Sequence, residues 1–269
     1  MGLEQYSNAE FVAEFEINLE RLQLSATPTE SLCAYVLGGQ SGAGKARLGN
    51  RLNKNAIVID GDKFRNQHPN SDELDALYGV DSVKYKSKFA GEMTEALINE
   101  LSKLKYNLVI EGTLRTAEVP LKTARELQNK GYSVDLDVKI VKPEISYAST
   151  ILRYILGRSE GDEFARATPK EHHDLIVKSL SANLVTLIET DAFKTVSLYN
   201  RADEEIYNSE NDVDVNPIEL IDNIMFGEWS SVEVAGLKEI CSKIKSSEYY
   251  DGLSDEDKSF LADCEAIIV

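Results

Sequence analysis

The run Gly39-Gln40-Ser41-Gly42-Ala43-Gly44-Lys45-Ala46 constrains this chain more than any other. It has the Gly, four residues, Gly, Lys spacing of a phosphate-binding loop, with Ala46 where Ser or Thr completes the pattern. Such a loop works between a strand and a helix. Its glycines let backbone N–H groups curl around an anion with no Cβ in the way. The helix that follows aims its positive end at the same anion. Both flanks comply: Cys33-Ala34-Tyr35-Val36-Leu37 reads as a buried strand, and Lys45 to Leu52 as a helix start. Lys45 is the point charge for the outer phosphates. A hydroxyl at position 46 would coordinate magnesium, and the methyl of Ala46 does not. A plain Gly-rich turn is the competing reading, and the strand, loop and lysine together argue against it.

The rest of the chain alternates strands and helices. Ala56 to Asp60, Asn107 to Glu111, Ser133 to Val141 and Thr195 to Tyr199 read as strands. Residues 8–24, 89–104 and 120–130 read as helices. Thr168-Pro169-Lys170-Glu171 reads as a helix start with a capping box. Pro217 to Met225 is helical, and two helices follow Trp229. The alternation predicts an α/β fold, a P-loop kinase-like parallel sheet with helices on both faces. Ligands bind beyond the carboxyl ends of such strands.

Charge divides the chain unevenly. The net charge is −17, and residues 202–269 hold 18 Asp and Glu against 4 Lys. The body is nearly neutral and lacks the basic footprint that a nucleic-acid partner requires. The domain reading is a body over 1–232 and an acidic helical extension over 233–269. The extension is expected to pack only weakly, through Leu237, Ile240 and Ile244. No apolar run is long enough to span a membrane. Three widely spaced cysteines (Cys33, Cys241, Cys264) suit a reducing cytoplasm and no structural zinc. A metal role for His172 and His173 is disfavoured against capping and packing.

Strand ends carry the remaining chemistry. Asp60-Gly61-Asp62 follows the second strand, and Glu111-Gly112-Thr113-Leu114-Arg115 the third. Carboxylates there can take a proton from a hydroxyl or hold magnesium through water. Asp-Gly is also a common turn. Arg153 and Arg166 flank a Gly157–Gly161 segment read as flexible. By themselves they read better as a solvated helix face than as groups that neutralise charge in phosphoryl transfer.

Several stretches together resemble one family, the zeta toxins of bacterial toxin–antitoxin systems, especially the PezT-like branch. They are Leu37 to Lys45, Ile59-Asp60-Gly61-Asp62-Lys63-Phe64-Arg65-Asn66-Gln67-His68-Pro69, Tyr106 to Thr116, Ala165 to Asp174, and Phe226-Gly227-Glu228-Trp229. The likeness spans roughly residues 5–232. It implies a cytoplasmic kinase that uses ATP or GTP with Mg2+ to phosphorylate the 3′-hydroxyl of UDP-N-acetylglucosamine, blocking cell-wall synthesis. By motif position Asp62 would be the base and Lys45 would hold the donor phosphates. Arg153 and Arg166 would neutralise charge, reversing the reading they receive unaided. Glu95, Glu111, Thr113 and Arg115 would contact the nucleotide sugar. The family's partner is a small helical antitoxin. Ala46 departs from the family's Ser or Thr, by engineering or by natural loss. It leaves a second reading open, a catalytically weakened nucleotide-binding protein acting through a partner.

Overall fold

The computed structural model describes residues 2–52, 54–162, 165 and 168–268, without the side chain of Val80. The expected site residue Arg166 lies outside the described residues. Six strands form one sheet in the order β2-β3-β1-β4-β5-β6. They are β1 (Cys33–Gly39), β2 (Ala56–Asp60), β3 (Asn107–Glu111), β4 (Ser133–Lys139), β5 (Val196–Tyr199) and β6 (Glu205–Asn208). The first five run parallel, and β6 pairs antiparallel with β5. β1 is central because Ala34, Val36 and Leu37 are buried and both sheet neighbours are apolar. The sheet is as the alternation predicts, with β6 added. Its four residues directly follow a turn, too short a run for periodicity to register.

The helices are α1 (Asn8–Gln23), α2 (Lys45–Leu52), α3 (Ser71–Tyr78), α4 (Ser82–Lys103), α5 (Glu118–Gln128), α6 (Pro143–Ser159), α7 (Lys170–Ile188), α8 (Pro217–Phe226), α9 (Ser231–Lys245) and α10 (Asp255–Ile268). α1 starts on a full capping box between Ser7 and Glu10. The box expected at Thr168 does not form: Pro169 is the cap residue, with no side-chain hydrogen bond. Pro143 opens α6, and its missing N–H costs nothing at that position. Gly157 lies inside α6, so the flexible segment expected there begins only near its end. No helix among the described residues is long and apolar enough to cross a membrane.

Three apolar clusters hold the molecule, the smallest setting Leu48 of α2 against Leu37, Ala56 and Val109. The largest joins the sheet to α1, α4, α5, α7 and α8 and buries Leu97, Leu108, Leu136, Leu184 and Ile221 completely. The second is built from α6, α9 and α10, with Ile151, Leu237, Ile244 and Leu261 at 0% exposure. Each such side chain contributes about 2 kcal/mol when removed from water. The C-terminal end therefore packs firmly, against the expectation from sequence. α10 adds Leu261 and Cys264 to the cluster, and Tyr147 of α6 donates to Asp257 Oδ1 at 2.7 Å.

One buried carboxyl sets a pH response. Asp137 of β4 is 4% exposed, and its Oδ2 has no hydrogen-bond partner among the described residues. Burial pushes its pKa up to about 7, Asp135 and Glu205 add to the rise, and a hydrogen bond from Tyr199 opposes it. An unfolded Asp ionises near 3.9, so the folded state binds this proton more tightly. Stability then falls as pH rises from about 4 to about 7 and levels off above. Asp137→Asn removes that decline. In thermal unfolding scans, its melting temperature is expected to match the parent near pH 4 and to exceed it increasingly up to about pH 7.

Candidate phosphate-binding site

The loop after β1 is shaped by contacts that only glycine permits. Gly39, Gly42 and Gly44 have φ of 130°, 80° and 90°. A Cβ on Gly39 would lie 2.3 Å from the Lys139 carbonyl oxygen, and one on Gly42 would lie 2.0 Å from that of Ser146. The ends of β4 and α6 are thus pressed against the loop. Ala43 is buried and Ser41 half-buried. Gln40 anchors inward, donating to Val141 O at 2.8 Å. Lys45 folds back and donates to Gly39 O and Gln40 O, both at 3.0 Å. Burial lowers its pKa; Glu111, Asp62 and Asp60 oppose that shift, and Arg153 adds to it. Ala46 is exposed on the first turn of α2.

The strand-end carboxylates gather at the mouth of this loop. Asp60 and Glu111 are register partners on β2 and β3, and Leu37 of β1 pairs with Glu111 on the other side. Glu111 Oε1 is buried with no hydrogen-bond partner among the described residues. Burial raises the Glu111 pKa, Asp60 and Asp62 add to the rise, and Lys45 and Lys63 oppose it. Asp60 caps the turn after β2 by accepting from the Asp62 N–H at 3.1 Å. Asp62 is exposed and pairs with Arg65 at 2.6 Å. Arg153 is exposed on α6, and its charge repels that of Lys45. Lys45, Asp60, Asp62, Glu111 and Arg153 thus form one electrostatic group.

Other expected residues are placed differently. Thr113 is half-buried and Arg115 exposed on the loop after β3. Asn183 of α7 holds that loop by donating to the Leu114 and Arg115 carbonyls, each at 2.8 Å. Glu95 is not brought to the group. Its carboxylate pairs with Lys122 at 2.9 Å and lines a groove of about 820 Å³ with Tyr6, Phe11 and Lys130, and no residue of the loop or the strand ends lines that groove. Its neighbour Thr94 is the α4 residue that meets Gly61, where a Cβ would lie 2.9 Å from Thr94 Oγ1. His173 is buried, with Nε2 2.8 Å from Ser146 Oγ, in a packing role.

Sequence reasoning missed a cationic group on the far side of the loop. Arg201, in the turn between β5 and β6, donates to Gly42 O at 2.6 Å and to Ser149 Oγ at 3.0 Å. Asp203 is buried and takes ion pairs from Lys139, from Arg47 at 2.5 Å and from Arg51 at 3.5 Å. Burial pushes the Lys139 ammonium down, and Arg47, Arg201 and Arg51 push it further. Three cations on one carboxylate, with Arg201 near Lys139, leave a positive surplus beside the loop, which favours an anion there. The available signal was Asn200-Arg201-Ala202-Asp203 at a strand end, the same kind of position as the two motifs that were noticed.

The site fits a nucleotide's phosphates, since backbone N–H groups, a helix start, Lys45 and Arg201 converge on the glycines. Magnesium would need phosphate oxygens and water beside the strand-end carboxylates. Asp60, Asp62 and the orphaned Glu111 oxygen are hard donors of the kind that ion takes beside phosphate and water. No group of three or more His, Cys, Asp or Glu among the described residues could hold a metal by itself. Arg201→Ala is expected to weaken binding of a fluorescent ATP analogue about tenfold, with Arg201→Lys recovering only part, because the two-pronged guanidinium contact is lost.

The chain is similar to known proteins over most of its length. A family model described as Zeta toxin matches residues 19–212. Toxin PezT of Streptococcus pneumoniae serotype 4 (strain ATCC BAA-334 / TIGR4) is 44% identical over 237 residues, 87% of this chain and 93% of that protein. Toxin zeta of Streptococcus agalactiae is 40% identical over 237 residues, covering 87% and 83%. A solved structure of the PezAT chromosomal toxin–antitoxin system of Streptococcus pneumoniae superposes with a TM-score of 0.81 at 38% identity, covering 91% of this chain and 98% of that one.

Proposed function

Since this chain belongs to the Zeta toxin family, we propose that it is the toxin of a toxin–antitoxin system and transfers the γ-phosphate of ATP or GTP to the 3′-hydroxyl of UDP-N-acetylglucosamine. The observation that carries this reading is the gathering of Lys45, Asp60, Asp62, Glu111 and Arg153 at the mouth of one glycine loop. Phosphoryl transfer asks a protein mainly for positioning and for charge around the moving group. Both are supplied here. The nucleotide-sugar substrate blocks cell-wall synthesis once phosphorylated, which accounts for toxicity in the cytoplasm. A small helical antitoxin is the partner this reading requires. Residues 1–232 carry the kinase body.

Each residue has a distinct task. Gly39, Gln40, Ser41, Gly42, Ala43, Gly44, Lys45 and Ala46 form the donor-phosphate cradle. Lys45 leaves the Gly39 and Gln40 carbonyls for the outer phosphates. The sugar hydroxyl oxygen attacks the γ-phosphorus and its proton passes to Asp62, while the bond to the bridging oxygen breaks and the nucleoside diphosphate leaves. Asp62 is exposed, so an incoming hydroxyl can reach it once Arg65 swings aside. Arg153 and Arg166 face the charge that grows on the transferring group. Glu111, Thr113 and Arg115 contact the nucleotide sugar, and Glu95, turned into the outer groove beside Lys122, is left out of that set. Magnesium, when bound, offsets phosphate charge, and Asp60 is the strand-end carboxylate left to hold it, through water.

Ala46 supports a second reading, a weakened nucleotide-binding protein that acts through a partner. Phosphorus NMR of UDP-N-acetylglucosamine with ATP or GTP separates the two. Ala46→Thr is expected to raise turnover over the parent, since a magnesium ligand returns. Absence of phosphorylated sugar nucleotide from both chains with either donor would remove the kinase reading.

Two further variants in the Ala46→Thr background assign the roles. Asp62→Asn is expected to cut kcat by about two orders of magnitude while sugar-nucleotide affinity stays within about threefold. Arg153→Ala is expected to lower kcat more than it raises KM, as a contact made in the transition state does. Unchanged kcat in Asp62→Asn would move the base to Asp60 or Glu111.

A further inference from the structure

The helix that carries Arg153 is tied to the loop on one side and to the C-terminal helices on the other. On α6, Ser146, Ser149, Thr150 and Arg153 follow helical spacing along one face. Ser146 O and Thr150 Cγ2 press on Gly42, and Ser149 Oγ accepts from Arg201. The other face carries Ile145, Ala148, Ile151 and Ile155, all buried. None of these belongs to the cluster that holds the sheet. Apart from α6 itself, the cluster that buries them comes from residues 229–268. Polar contacts reinforce it along the whole helix. Lys142 donates to Gly227 O at 2.6 Å and lies over the Trp229 ring. Tyr147 donates to Asp257 in the middle. Arg158 stacks over Tyr249 at the far end, 5.8 Å from its centroid.

We infer that α9 and α10 position Arg153 for phosphoryl transfer by fixing α6 against the phosphate loop. The inference rests on the reading that Arg153 acts on the transferring group, and it gives a task to the acidic end, expected from sequence to pack only weakly. Without that end, the apolar face of α6 would lie in water, and the helix would lose Leu237, Ile244 and Leu261 from its cluster and the Tyr147 bond to Asp257. A one-ångström displacement of a charge-neutralising group already costs catalysis heavily. Leu261 and Asp257 are positioning residues. They touch neither the loop nor the reacting atoms.

The test uses the full chain in the Ala46→Thr background, with Leu261→Ala, which opens a cavity under α6, and Asp257→Asn, which leaves one acceptor oxygen for the two hydroxyls of Tyr147 and Ser254. The expected result for Leu261→Ala is a kcat lowered about tenfold with the KM for ATP within about threefold, and a smaller loss of the same kind for Asp257→Asn. Combined with Arg153→Ala, neither should lower kcat further, because residues acting through one group are not additive. Losses that add fully to that of Arg153→Ala would overturn the inference. Native-state hydrogen exchange supplies a readout apart from activity: Leu261→Ala should expose the amides of residues 148–156 and leave those of β1 and β3 protected. Unchanged exchange in α6, or raised exchange with unchanged kcat, would also overturn it. If Leu261→Ala unfolds globally, Asp257→Asn decides, since it leaves the apolar cluster filled. Lack of transfer by the Ala46→Thr chain would sink the kinase reading and with it the catalytic half of this inference, while the exchange result still reports whether α10 holds α6.

Discussion

The close approach of two carbonyl oxygens to two glycines organises this molecule. Lys139 O meets Gly39 and Ser146 O meets Gly42 at distances no side chain would allow. Those contacts fix the phosphate loop between the end of β4 and the start of α6. Arg201 completes the enclosure by bonding the Gly42 carbonyl from the β5–β6 turn. Three segments distant in sequence thereby set the direction of the loop's N–H groups. A cradle built of backbone is only as well formed as the structure that braces it. This explains why so much buried polar machinery, Lys139 and Asp203 included, sits beside a loop that is itself mostly glycine.

Charge is balanced across the loop in two unlike halves. On one side Asp60, Asp62 and Glu111 crowd together, and Glu111 is held above its usual ionisation range by burial. On the other, Arg47, Arg51 and Lys139 pair with Asp203, with Arg201 near Lys139. Lys45 lies between, pulled down by burial and held by the acids. A polyphosphate bound there would relieve the crowded cations, with Lys45 shielding it from the acids.

Much of this was legible in the sequence, for physical reasons. Strands such as Asn107–Glu111 are buried on both faces, so they read as short apolar runs ending in a polar residue. The loop motif is local, and its spacing is dictated by the size of a phosphate. Asp62 and Glu111 follow at once, since parallel strands all end on one side. Arg201 was not legible, because its value lies in reaching Gly42 across 159 positions, and no pattern along the chain encodes that reach. The firm packing of α9 and α10 was missed for a similar reason. Their apolar stripes are ordinary, and what makes them matter is the matching stripe on α6. Glu95 shows the converse. A motif position carried it to the site, while its helix turns it toward Lys122 and the outer groove.

Ala46 isolates one piece of chemistry from everything else. The residue is exposed on the first turn of α2 and belongs to neither large apolar cluster. Alanine is the best helix former, so the fold gains slightly from it over serine or threonine. Phosphate binding depends on backbone N–H groups, Lys45 and Arg201, and none of these needs a side chain at 46. What the methyl lacks is one hard oxygen donor. On the proposed reading, stability and phosphate binding are nearly blind to this position, while the rate of transfer is not. Such a chain would keep Lys45, Asp62, Arg153 and the whole brace around the loop and still turn over slowly. The same independence makes a single restored hydroxyl a clean probe of how much catalysis the rest of the site retains.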